Sequence, residues 1–401
     1  MRVVQINAVY GHGSTGTIVR DIETLCEQSN IDCFVASPDR KVIEARRGYV
    51  IGNLFDHKIH ALLARLHGKQ AYYSKIPTKH LLNWVDEIKP DIVHLHNLHS
   101  NFIDLNLLLD YLARKDINTI ITLHDCWFYT GGCFHYTAAG CDKWLSDCDN
   151  CPKQKQDTLA IFTKHSMQIL EDRKRYLLHI PHLYITGVSE WMINESQKSF
   201  LKGIPSYIIY NGVDMNVFKP TMSDFRKRLG LDGKYIILGP ASKWLAPVNK
   251  TVLEQFIQMM QPDEVLLLFG VCQNTGKLPN NVIPFGYTKN RQELAALYTM
   301  ADVFVNTTRE DSLSLINIEA QACGTPVVTF DQTGPKETVD NVNSYHVSVG
   351  DVEQLYEAVQ KVRKQFRQEI SNNCRTFVER KFEMHNNYQK YISLYKLINK
   401  V

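Results

Sequence analysis

The stretch from Val303 to Thr338, VFVNTTREDSLSLINIEAQACGTPVVTFDQTGPKET, admits few folds. Val303–Val305 and Val327–Phe330 are short β-branched apolar runs of the kind that parallel strands use when both faces are buried. Between them Leu315, Ile316, Ile318 and Ala322 recur at helical spacing, and Gly324 with Pro326 ends the helix. The unit therefore reads as strand, acidic loop, helix, turn and second strand, followed by a glycine turn into another helix. Open α/β sheets bind ligands in the loop after a parallel strand and at the start of the next helix, where free backbone N–H groups suit a phosphate. Glu310 and Asp311 stand in that loop, and Glu319 follows Asp311 by eight residues. A carboxylate at Glu319 can accept two hydrogen bonds from a sugar or ribose diol.

The same alternation runs along the chain. Strands are predicted at Val3–Asn7, Cys33–Ala36, Ile92–Leu95, Thr119–Thr122, Tyr184–Val188 and Tyr207–Tyr210. They resume at Tyr235–Leu238, Val265–Phe269 and Val282–Pro284, with helices between, for example Thr17–Glu27 and Leu105–Arg114. Strands alternating with helices mean parallel sheets covered on both faces, and 401 residues suffice for two such domains. With 44% hydrophobic and 22% charged residues the composition is that of a globular protein, and a net charge of +3 is too small for a nucleic-acid binder. The opening VVQIN reads as a strand and not as a signal peptide, and no run approaches the roughly 18 apolar residues of a spanning helix. These features predict a cytoplasmic protein, in a compartment where structural disulfides are rare. Basic clusters at Arg40-Lys41, Arg46-Arg47 and Lys361–Arg380 are solvated helix faces or give weak attraction to an anionic membrane.

Other polar groups gather at strand ends. The first strand runs into Gly11-His12-Gly13-Ser14-Thr15-Gly16, which matches G-x-G-x-x-G and raises a dinucleotide site, with Asp39 as the nearest ribose-binding acid. His94, His96, Asn97 and His99 follow the strand at Ile92, and His124-Asp125 follows the strand at Thr119. Cys133, Cys141, Cys148 and Cys151 share one loop with Cys126, and the last four could form a tetrahedral zinc site, remain packed free thiols, or pair as a disulfide.

Asp311 and Glu319, with the flanking ACGTPVV and TGPKE segments, resemble the acidic-x7-acidic signature of the family 4 retaining glycosyltransferases, which have the GT-B fold. The resemblance covers essentially the whole chain. NGVD (211–214) with VFKP resembles the interdomain signature. STG-x-I and HDCW-x2-TGGC resemble a branch associated with capsule and exopolysaccharide synthesis. The resemblance implies an α/β protein of two Rossmann-like domains facing a cleft: residues 1–214 on the acceptor side, residues 215–379 for the donor, and a helix over about 380–401 crossing back. It implies a hexosyltransferase-type enzyme that moves a sugar from a UDP- or GDP-sugar to a sugar hydroxyl of a polysaccharide or lipid-linked precursor. No cofactor is required, and peripheral membrane contact is compatible with such an acceptor.

Residue by residue, the resemblance implies catalytic roles for His124, Asp311 and Lys243. Donor contacts fall to Gly16, Lys243, Lys250, Asp311, Ser314, Leu315 and Glu319, and acceptor contacts to Gly13, His96, Asn97 and His99. In the family the first acidic residue faces the donor sugar, the second holds the ribose, and the histidine beside the donor sugar donates a hydrogen bond to it or orients the next residue. One departure stands out: the family has a Lys-Gly pair shortly after the cation at Lys243, where this chain reads LAPVNKT, so Lys250 matches only with a shift. Two other readings compete. A metal-dependent hydrolase would use His94, His96, His99 and His124 with Asp91 or Asp125, and a non-catalytic GT-B protein would bind a nucleotide sugar without turnover.

Overall fold

A computed structural model describes residues 1–153, 156–157, 161, 165–271 and 278–400. The chain divides into two compact units, Met1–Tyr210 with Tyr388–Val401, and Asn211–Asn387.

The first unit is built on a seven-stranded sheet: β1 (Arg2–Ile6), β2 (Asp32–Ser37), β3 (Gly48–Val50), β4 (Ile92–Leu95), β5 (Asn118–Leu123), β6 (Leu183–Gly187) and β7 (Ser206–Ile208). Their order is β3-β2-β1-β4-β5-β6-β7, and every pairing is parallel. The second unit carries β8 (Tyr235–Pro240), β9 (Glu264–Phe269), β10 (Val282–Pro284), β11 (Val303–Asn306), β12 (Val327–Phe330) and β13 (Tyr345–Val347). Their order is β10-β9-β8-β11-β12-β13, again all parallel.

The predicted strands lie in these sheets, shifted by a residue or two at their ends. The edge strands β3 and β13, three residues each, are additions. The first helix begins at Gly13, four residues before the expected Thr17, so the glycine segment forms its first turn. Four residues of β4, β11 and β12 alike are wholly buried, as strands covered by helices on both faces must be. Helix Leu105–Arg114 sends Leu105, Leu108, Leu109 and Leu112 into the core of the first unit. Helix Val352–Arg363 does the same for the second with Val352, Leu355, Val359 and Val362.

The helix expected over about 380–401 is Met384–Ile398, and residues 380–382 instead end a separate helix, Arg367–Phe382, from which it is parted at Glu383, whose backbone is extended. The break exists because the chain is stitched there to the NGVD turn. Val213 N–H donates to the Phe382 carbonyl (2.9 Å), and Met384 N–H donates to the Val213 carbonyl (3.2 Å). A Cβ on Gly212 would lie 2.3 Å from Met384 Cα, so only glycine lets the two segments meet. Beyond the break, Tyr391 and Tyr395 are fully buried in the first unit.

Gly212→Ala should force this bridge apart. We expect a loss of about 1–3 kcal/mol, the usual cost of an overpacked contact, seen as a lowered thermal midpoint; an unchanged midpoint would refute the close-approach argument.

Candidate functional site

In each sheet the strand order reverses once, between β1 and β4 and between β8 and β11. Crevices of open α/β sheets form at such reversals, beyond the carboxyl ends of the strands. The residues singled out in the sequence follow these strands or their neighbours.

In the second unit, the loop after β11 is held by one buried amide. Asn306 Nδ2 donates to Ser314 Oγ (3.0 Å) and Asn317 Oδ1 (2.9 Å), and its Oδ1 accepts from Thr308 N–H (3.1 Å). Asn317 in turn donates to Thr338 Oγ1 (3.0 Å), and Gln321 to the Thr338 carbonyl (2.6 Å). This network clamps the start of helix Leu315–Ala322 between the end of β11 and the TGPKET turn. The turn approaches the acidic loop backbone to backbone: a Cβ on Gly334 would stand 1.8 Å from the Ser312 carbonyl oxygen. Thr333 Oγ1 accepts from Asp311 N–H (3.2 Å), and Gly334 N–H donates to the Asp311 carbonyl (3.2 Å), so the Asp311 main chain is fixed on both sides. Leu315 opens the helix half-buried, and the first N–H groups of such a helix have no intrahelical partner. Ser312 Oγ is buried beside it without a hydrogen-bond partner among the described residues.

Glu319 lies partly exposed on the same helix, with Tyr298 Oη donating to its carboxylate (3.1 Å). Burial raises its pKa to about 7, against the lowering effects of the Tyr298 hydrogen bond and the Arg291 charge. It is therefore no ordinary solvated helix glutamate.

Lys243 sits on the short helix Ala241–Trp244 after β8. Trp244 Nε1 donates to the Val305 carbonyl (3.0 Å) and Asn249 Nδ2 to the Lys243 carbonyl (2.9 Å), fixing this helix on the strand reversal. Lys250 follows Asn249 with its side chain 77% exposed and 3.9 Å from Glu254. The LAPVNKT segment instead supplies Asn249, buried, which also donates to the Thr307 carbonyl (2.8 Å) and accepts from Arg309 Nε (2.8 Å). Asn249 and Arg309 were missed in the sequence. The signal was there, because the departure from Lys-Gly marks the place where an amide replaces the expected pair.

In the first unit, Gly13 is exposed at the helix start and Gly16 is buried, with the Gly16 carbonyl accepting from Gly11 N–H (2.9 Å). Asp39 is consumed by this loop: it accepts from Tyr10 N–H (3.3 Å) and Lys41 N–H (3.0 Å) and meets His12 Nδ1 at 3.1 Å. That engagement removes the acid which a dinucleotide site would place on a ribose.

The histidines do not form a metal set. His94 is fully buried, with Nδ1 on Tyr395 Oη (2.6 Å) and Nε2 on Thr122 Oγ1 (2.7 Å). His96, expected at the acceptor, is also fully buried, and its nitrogens meet His124 Nε2 (3.1 Å) and Gln5 Oε1 (3.1 Å). Burial holds His94 at about 3 and His124 at about 4, and drives His96 well below the usual range, so all three rings are neutral. His99 pairs with Asp125 (3.3 Å) and packs on Phe134. Burial opposes the Asp125 charge, yet the His99 contact and the Trp127 N–H hold this carboxyl below its usual range. Asn97 joins β4 to β1 by its main chain: its N–H donates to Asn7 Oδ1 (3.1 Å) and its carbonyl accepts from Ala8 N–H (3.0 Å).

The cysteine loop is braced by Arg173, buried with its guanidinium 3.8 Å from the Trp127 ring centroid and donating to the Trp127 and Thr130 carbonyls. Cys133, Cys141, Cys148 and Cys151 are free thiols, and burial raises Cys133 to about 12 and Cys148 to about 11. Among the described residues no group of three or more His, Cys, Asp or Glu side chains is arranged to hold a metal ion.

Two family models cover most of the chain: Glycosyltransferase Family 4 over residues 19–217, and Glycosyl transferases group 1 over residues 251–365. The chain belongs to glycosyltransferase family 4. It is 24% identical over 273 residues to the putative colanic acid biosynthesis glycosyl transferase WcaC of Escherichia coli K12, a match covering 66% of each protein. The chain spans 44–66% of the length of the first curated relatives it matches. Among solved structures, sucrose-phosphate synthase of Thermosynechococcus elongatus superposes with a TM-score of 0.71 at 16% identity, covering 99% of this chain and 98% of that one. Anabaena HepE in complex with UDP-glucose gives 0.65 at 15% identity, covering 98% and 99%. The fold is GT-B, with two Rossmann-like parallel-sheet units.

Asn306→Ala should strand the Ser314, Asn317 and Thr308 partners. We expect about 2–3 kcal/mol of destabilisation by denaturant unfolding, the cost of leaving buried polar groups unpaired. A change below about 0.5 kcal/mol would refute the clamp.

Proposed function

We propose that this protein is a retaining glycosyltransferase that moves a sugar from a nucleoside-diphosphate sugar, a UDP-sugar in the first instance, to a sugar hydroxyl of a polysaccharide or lipid-linked oligosaccharide precursor. The observation that carries the reading is Glu319. It is a carboxylate on the helix after β11, backed by Tyr298 and tuned by burial to about 7. It follows Asp311, whose main chain is fixed by Thr333 and Gly334. Family membership supports it, as do a HepE structure holding UDP-glucose and the colanic acid role named for WcaC.

In this reading Glu319 accepts the ribose hydroxyls, and the first N–H groups of helix Leu315–Ala322 meet the diphosphate with Ser312 and Ser314. Lys243 and Arg309 supply positive charge as the leaving group develops its own. The bond from the anomeric carbon to the diphosphate oxygen breaks, and a bond to the acceptor oxygen forms on the same face. The acceptor proton passes to the departing phosphate, so positioning and charge stabilisation do the work without an enzymic nucleophile. The metal-hydrolase reading loses its support, because His94 and His96 have both ring nitrogens engaged inside the fold.

Binding a diol requires the ionised carboxylate. With a pKa near 7, Glu319 is about one-tenth ionised at pH 6 and nine-tenths at pH 8. UDP-glucose should therefore bind about tenfold more weakly at pH 6 than at pH 8, since its own phosphates do not titrate there. Glu319→Gln should flatten that dependence and weaken binding at pH 8 by about 10- to 100-fold, as loss of a charge-assisted hydrogen bond implies. Calorimetry giving wild-type affinity for this variant would refute the ribose assignment.

We place the enzyme on the cytoplasmic face of a membrane, held by helix Leu54–His67. Among the described residues no helix is long and apolar enough to cross a membrane. This one buries His60 and Ala64 while Leu54, Phe55, Ile59 and Leu62 are 42–70% exposed. Lys58 and Arg65 belong to the same helix, and Ile76 is exposed between Lys75 and Lys79 nearby in the chain. An apolar ridge edged by cations complements an anionic bilayer. The full-length protein should sediment with phosphatidylglycerol vesicles and not with phosphatidylcholine ones, and Phe55→Ser with Leu62→Ser should release it. Equal release from both vesicle types, or a dimer in solution that these changes dissolve, would assign the ridge to a protein contact instead.

A further inference from the structure

The hydrogen positions along the buried histidines follow from a single amide. Gln5 is the one buried polar side chain of β1. Its Nε2 lies 3.1 Å from the Val19 carbonyl oxygen and 3.3 Å from Cys33 Sγ. A carbonyl oxygen has no hydrogen to give, so the amide nitrogen faces Val19 and Gln5 Oε1 faces His96. Gln5 Oε1 can only accept, so His96 Nε2, 3.1 Å away, carries a hydrogen. The His96 ring is neutral in its buried position and holds one hydrogen only, which leaves Nδ1 bare. That bare nitrogen faces His124 Nε2 at 3.1 Å, so His124 Nε2 is the donor. His124 is neutral as well, and its Nδ1 is therefore a bare lone pair. It is buried and has no hydrogen-bond partner among the described residues.

The flanking groups leave this order intact. His94 packs against His96 with centroids 4.0 Å apart and rings tilted by 37°, but its own nitrogens are taken by Tyr395 and Thr122. Asp125, next to His124, accepts from Trp127 N–H (2.9 Å) and pairs with His99.

We propose that Gln5 and His96 are positioning residues that lock His124 as a hydrogen-bond acceptor, and that His124 Nδ1 takes the hydrogen of a sugar hydroxyl. The identity of that ligand rests on the glycosyltransferase reading, whereas the locked tautomer does not. The polarity is opposite to the donated hydrogen bond expected from the family resemblance. It is also selective: a bare imidazole nitrogen repels phosphate and carbonyl oxygens and accepts only from a group with a hydrogen to give. A buried acceptor left without its donor costs enough to discriminate against ligands lacking the hydroxyl.

The test is nitrogen NMR of the full-length protein labelled with 15N-histidine, where each ring nitrogen is identified as protonated or bare. In the wild type, His96 and His124 should each show a protonated Nε2 and a bare Nδ1; a protonated His124 Nδ1 overturns the proposal. Gln5→Leu removes the acceptor and should give mixed tautomers at both rings, while Gln5→Glu, kept neutral by burial, donates to Val19, still accepts from His96 and should restore the single pattern. A folded Gln5→Leu protein that keeps the wild-type pattern overturns the role of Gln5. If Gln5→Leu fails to fold, the wild-type and Gln5→Glu spectra decide.

The ligand arms use UDP, UDP-glucose and free glucose. A shift of His124 Nδ1 with UDP-glucose and not with UDP assigns the hydroxyl to the donor sugar. A shift with free glucose alone assigns it to the acceptor side. An equal shift with UDP and UDP-glucose, or none with any sugar, overturns the hydroxyl assignment. Failure of the glycosyltransferase reading would look different, as no nucleotide binding by calorimetry while the tautomers stand as described.

Discussion

Where the strand order reverses, between β1 and β4 in one unit and between β8 and β11 in the other, the connecting helices leave for opposite faces of the sheet. The main chains that end there diverge, and backbone hydrogen bonds such as Ala8 N–H to the Asn97 carbonyl (3.0 Å) do not by themselves fill the space between them. Side chains must do so. Asn7 and Asn97 tie the gap in the first unit, and Asn249, Thr307 and Arg309 tie it in the second. Amides suit this task because they offer donor and acceptor together without a charge that burial would penalise. Lys243 and Asp311 in one unit, and His96 and His124 in the other, borrow their positions from these ties or from the strands that end beside them.

Much of this was legible in the sequence for a specific reason. Strands such as IVHL and VFVN are buried on both faces, so their apolar runs are nearly continuous and bounded by turn residues. The edge strands β3 and β13, three residues each, were not read, although the equally short edge strands β7 and β10 were. The C-terminal helical pattern could be read, but not its break at Glu383, which is imposed by the distant Gly212. Site residues divided in the same way. Asp311 and Glu319 announce themselves by spacing, whereas Gln5, Asn249 and Asn306 act through partners as many as 91 residues away in the chain. His96 illustrates the converse. Its place beside three other histidines suggested exposure to a ligand, yet both it and His94 lie in the unit's interior, His94 on a strand buried on both faces and His96 directly after it.

The two units handle buried polarity differently. In the second, burial raises one acid, Glu319, into the range where it titrates near neutral pH. In the first, burial drives three histidines to neutrality and leaves tautomers, not charges, to carry information.

His94 is satisfied by Tyr395, and Thr122 is in reach of Tyr391, so the final helix completes a polar cluster begun three hundred residues earlier. During synthesis the first unit therefore leaves the ribosome with these groups unmatched. It must wait while the whole of Asn211–Asn387 is made, and it closes only when the helix bearing Tyr391 and Tyr395 follows. The chain order thus makes completion of the first unit depend on the second having already been made.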